Sequence, residues 1–92
     1  MKGANYIQMI RTPRYGGEGN RIPNEVVGAT MDGLTPIQAW REHLGLTQAV
    51  VAQRLGISQA LYAKYEKTLR PRTSTISRIA AALGITKEQL QF

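Results

Sequence analysis

The chain has 92 residues, 42% of them apolar, which is enough for one modest domain core. It has no cysteine, which excludes disulfides, thiolate metal sites and cysteine nucleophiles. No apolar run approaches the ~20 residues of a membrane span and the N-terminus lacks a secretory h-region, so the expected location is cytoplasmic.

Twelve Lys and Arg against six Asp and Glu give a net charge of +6. Residues 1–33 carry four basic and three acidic side chains; residues 34–92 carry eight and three. Lys64, Lys67, Arg70, Arg72 and Arg78 fall close together with only Glu66 among them. Such a cluster is either a solvated face or the footprint of a polyanion.

In chain order, "NYIQMI" is rich in strand formers, and "RTPRYGGEGN" is a loop with three glycines and a proline. "RIP" could pair back as a second short strand. Alternatively, this whole arm is a disordered tail. "NEVVGATMDG" predicts a weak connecting helix with Asn24 as its cap and Gly33 as its stop. Residues 1–33 are therefore expected to form an N-terminal arm, of strand or hairpin plus short helix, for partner or dimer contact. Residues 34–92 are expected to form the main domain.

Five helices are predicted in that domain. "TPIQAWREHLG" has Thr35 as N-cap, Pro36 at the first helical position and Gln38 in place for a capping box, with Gly45 as its stop. Ile37, Trp40 and Leu44 make its apolar stripe. "TQAVVAQRLG" repeats the pattern between Thr47 and Gly56, turning Val51, Ala52 and Leu55 inward. "SQALYAKYEK" starts at Ser58 and buries Tyr62 and Tyr65. "TSTISRIAAALG" places Ile76, Ile79, Ala80 and Leu83 on one face and stops at Gly84. "TKEQLQF" has a second capping box, Thr86 with Gln89. Short helices on short turns make a compact all-α bundle.

The second and third of these helices are joined by Gly-Ile-Ser alone. Ala52 is small where two helices cross steeply, Gly56 suits a sharp turn with positive φ, and Ile57 plugs the gap. This spacing is that of a helix-turn-helix, whose second helix enters a major groove. The outward residues of "SQALYAKYEK" are Ser58, Gln59, Ala60, Ala63 and Lys64. Glutamine pairs with adenine, lysine with guanine, and alanine touches a thymine methyl. Gln48 opens the preceding helix, where free N–H groups favour phosphate, and Arg70 and Arg72 are placed for backbone phosphates.

"LTQAVVAQRLGIS", "YEKTLRPR" and "IAAALGIT" resemble the Cro/CI repressor class of helix-turn-helix domains, the XRE family, over about residues 34–90. The resemblance implies a five-helix Cro/CI-like bundle and a homodimeric transcription repressor on double-stranded operator DNA. It implies base reading by Ser58, Gln59, Ala60 and Lys64 and a phosphate contact by Gln48; Thr47, Lys67, Arg70 and Arg72 are expected to join Gln48 on the backbone phosphates. It also implies a structural ion pair between Arg41 and Glu66. The chain departs from the family at Val50, Leu61 and Tyr62. Val50 and Leu61 are expected at the surface, covered by an extra element, buried in a partner, or merely tolerated. The layout of the first third, with "AWREHLGLTQ", is similar to HigA-like antitoxins, which implies a RelE/ParE-like toxin as a further partner.

The alternatives are a stand-alone regulator and a protein-binding module that keeps the fold without reading DNA. No cofactor, metal site or catalytic residue is expected. His43 is the sole histidine, Asp32 and Glu18 are isolated, and "YGGEGN" lacks the lysine of a phosphate loop.

Overall fold

The computed structural model describes residues 21–92. The strand-forming arm expected in residues 1–20 lies outside them, and Arg21, Ile22 and Pro23 belong to no strand among the described residues. These residues form six helices: α1 (Asn24–Met31), α2 (Pro36–His43), α3 (Gln48–Leu55), α4 (Gln59–Lys67), α5 (Thr73–Leu83) and α6 (Lys87–Leu90). None is long and apolar enough to cross a membrane.

Most starts and stops follow local chemistry. The hydroxyls of Thr47, Ser58 and Thr86 accept from the backbone N–H groups of Val50, Leu61 and Gln89 at 3.1 Å each. At Gly56 and Gly84 the backbone turns left-handed, φ 73° and 80°, so the last carbonyls are satisfied by N–H groups beyond the helix. The capping box of α6 is complete.

Two expectations about caps need correction. Asn24 is the first residue of α1 rather than its cap, and no side chain caps that end. Pro23 stands there instead, its ring fixing φ at −58° while its carbonyl accepts from Val26 N–H. At α2 only half of the expected box forms. Thr35 accepts from Gln38 N–H at 3.3 Å, but the Gln38 side chain turns forward and donates to Glu42 at 2.9 Å. The box needs the Gln38 oxygen to reach back to the Thr35 N–H, and the charge-assisted bond from its NH₂ group to Glu42 holds the side chain the other way.

Trp40 is fully enclosed, with Ile37, Val51, Tyr62, Ile79, Leu83 and Leu90 among the buried side chains of the same cluster. Its indole N–H donates to the Gln89 carbonyl at 2.9 Å, which ties α2 to α6. Ala52 is buried, on a helix that packs against both α4 and α5. Tyr65 and Leu55 are half-buried. Ala63, expected outside, is also half-buried, because it flanks the buried Tyr62–Glu66 row of α4.

Residues before α2 are part of this packing. Val26 is fully buried, and the Gln89 amide donates to the Arg21 carbonyl at 2.7 Å. Shortening the chain to begin at Leu34 removes both. The loss should be about 1.5–3 kcal/mol for the valine and about 0.5–1.5 kcal/mol for the hydrogen bond. A chain beginning at Arg21 should keep both, and urea melts of the two shortened chains check the difference.

Candidate nucleic-acid interface

The α3–turn–α4 unit brings two helix N-termini together. Helix geometry leaves first-turn N–H groups without intrahelical partners, so each start is an anion-attracting end. At these ends Thr47, Ser58, Gln59 and Ala60 are exposed, and Gln48 is half-buried. The Thr47 and Ser58 oxygens are engaged as caps, which leaves their hydroxyl hydrogens to donate. Lys64 is exposed one turn beyond Ala60, on the same side of α4.

Gln48 and Gln59, eleven positions apart, meet side chain to side chain. The Gln59 Nε2 approaches the Gln48 Oε1 at 3.5 Å. The Gln48 Nε2 in turn donates to Glu66 Oε1 at 3.0 Å. Nothing in the local sequence signals this second bond, since it depends on how α3 and α4 cross.

Arg41 and Glu66 form an ion pair between α2 and α4. Arg41 Nε donates to Glu66 Oε2, Nη2 approaches Oε1 at 3.4 Å, and Nη1 donates to the Leu46 carbonyl at 2.8 Å. Glu66 is 1% exposed. Burial pulls the Arg41 pKa down, but the hydrogen bond and charge of Glu66 outweigh it, and the net shift is upward. Tyr62 lies beside the pair. Burial first, and then the neighbouring Glu66, raise its pKa, so it stays a phenol. Its hydroxyl has no hydrogen-bond partner among the described residues.

This arrangement changes the surface charge. Lys64, Lys67, Arg70 and Arg72 are exposed, while Glu66, the only acid in that stretch, is buried and neutralised. Every exposed charge from 64 to 72 is therefore cationic, with Thr68 and Leu69 exposed between the lysines and the arginines. Arg78 does not join it. Its guanidinium donates to the Leu55 carbonyl at 3.3 Å, at the end of α3 opposite Gln48. Arg54 similarly donates to the Ala82 carbonyl near the end of α5, at 2.9 Å. Both arginines complement the negative ends of helix dipoles. Val50 and Leu61 are partly exposed, 36% and 38%, on the two helices of the motif.

The chain matches the helix-turn-helix family over residues 37–90, more than half its length. No curated protein and no solved structure matches it. The matched region runs from α2 to the end of α6 and contains the paired N-termini, the cationic stretch and the buried ion pair. The chain belongs to the helix-turn-helix family, of the Cro/CI type, a DNA-binding regulatory class and not a class of enzymes.

Proposed function

We propose that the chain is a sequence-specific transcription repressor that binds a two-fold operator as a homodimer. The observation that supports this most is the meeting of Gln48 and Gln59 at the paired helix starts, beside a stretch whose only acid is buried. Phosphate contacts from Thr47, Gln48, Lys67, Arg70 and Arg72 would fix the register, and Ser58, Gln59, Ala60 and Lys64 would read base edges. A single module of this size covers few base pairs, which favours two copies on one site.

Gln59→Ala should weaken binding to the selected operator by about 1–3 kcal/mol and leave random duplex nearly unaffected. Equal losses on both would make Gln59 a backbone contact and favour a module that keeps the fold without reading bases. Arg72→Ala should weaken both duplexes alike and reduce the salt slope by about one unit. A titration of affinity against salt reads that slope, and an unchanged value removes Arg72 from the phosphate set.

A second, narrower reading is that the repressor is also a HigA-like antitoxin that neutralises a RelE/ParE-like toxin. Exposed apolar side chains on α1, Met31 at 82% and Val27 at 37%, support a protein contact on that side. Co-expression with a small basic RelE-like protein encoded next to this chain tests it. Rescue of growth by the full chain, lost on removing residues 1–33, is the expected result; equal rescue by both chains counts against the arm.

A further inference from the structure

The Gln48 amide has a direction that its surroundings impose. Its inward neighbour is Glu66, a carboxylate held by Arg41 and therefore an acceptor without hydrogens to give. Only the NH₂ end of Gln48 can face it. The Gln48 carbonyl must then face outward, toward the start of α4.

That oxygen meets Gln59, whose amide can answer it only with Nε2. The distance, 3.5 Å, is at the outer limit of hydrogen bonding, so this link orients Gln59 without locking it. One Nε2 hydrogen and the Oε1 of Gln59 remain free. A donor beside an acceptor in one plane is what the N7 and N6 edge of adenine requires. Were Gln48 reversed, it would present its own NH₂, draw in the Gln59 oxygen and remove the acceptor from the groove side.

We propose that Glu66 is a positioning residue for base recognition: acting through Gln48, it sets the polarity with which Gln59 faces the major groove. Its carboxylate has two tasks, holding Arg41 on one side and aligning two glutamine amides on the other. Gln48 then links Glu66 to Gln59, and its second Nε2 hydrogen is left for the phosphate contact proposed above. This rests on the DNA-reading function proposed above.

The test uses the full chain and a duplex that it selects from a randomised pool. Discrimination is measured at the A·T pair lost in Gln59→Ala, using 7-deazaadenine and a G·C replacement as probes. The wild type should prefer adenine by about tenfold or more. Glu66→Gln can offer Gln48 either an oxygen or an NH₂ group, so the polarity is lost. In that variant the preference should fall to within about threefold, with affinity for random duplex unchanged. Gln48→Ala leaves Arg41 and Glu66 paired, and so keeps the test valid if Glu66→Gln folds poorly. It should show the same loss at the same base pair and at no other.

The proposal is overturned if Gln48→Ala weakens selected and random duplex by one common factor and leaves the preference for adenine unchanged, because Gln48 is then a phosphate contact alone. It is also overturned if both variants discriminate as the wild type does. Failure of the wild type to enrich any sequence would remove the DNA-reading function itself. Enrichment that depends on Gln59 but not on Gln48 would remove only the relay.

Discussion

Replacing Glu66 by alanine should destabilise the fold by about 3–5 kcal/mol, as expected when one partner of a buried ion pair is removed. The loss comes mostly from what remains. Arg41 has 12% of its side chain exposed and would keep its charge with only the Leu46 carbonyl and the more distant Glu42 to answer it. Gln48 would lose its inward acceptor as well. Arg41→Met with Glu66→Leu is the informative comparison, because replacing both charges by apolar groups is often near neutral. A urea melt in which Glu66→Ala loses less than about 1 kcal/mol, the range of exposed pairs, would show that the pair is solvated in solution.

Trp40→Ala should be comparably severe, about 3–5 kcal/mol, through the cavity it leaves. Trp40 is fully buried and its N–H ties α2 to α6. Trp40→Phe separates the two contributions. It keeps most of the ring but leaves the Gln89 carbonyl without its donor, for about 1–3 kcal/mol. Thermal or urea unfolding of the two variants reads both values. Similar losses in both would assign the effect to the hydrogen bond, and a negligible loss in Trp40→Phe would assign it to packing.

Helix positions in residues 34–92 were legible in the sequence because each has its own local signal. The caps Thr47, Ser58 and Thr86 and the stops Gly56 and Gly84 act within a few residues of themselves. The i, i+3, i+4, i+7 pattern of Ile76, Ile79, Ala80 and Leu83 places α5 on the core without outside help. Less legible were choices that an amide side chain makes between near and distant partners. Gln38 could complete a cap or turn to Glu42, and the charge decided it. Gln89 completes its cap and also pins the Arg21 carbonyl, 68 positions away.

The same limit applies at the candidate site. Spacing along α4 puts Gln59, Ala60 and Lys64 at the surface, and the structure keeps them exposed. Spacing does not reveal that Glu66 serves Gln48, because that bond exists only once α3 and α4 have crossed. Nor does it separate Arg78 from the cationic cluster. Arg78 is close in sequence to Arg72, but on α5 it is drawn to the far end of α3.

The central claim is that the paired starts of α3 and α4 read DNA sequence. The most direct measurement is repeated selection of a randomised duplex pool by the full chain, with Gln59→Ala and Lys64→Ala carried through in parallel. The expected result is enrichment of one sequence by the wild type, with changed preference in each variant confined to one or two base pairs. Binding without enrichment, or the same enriched sequence from all three proteins, would contradict the claim.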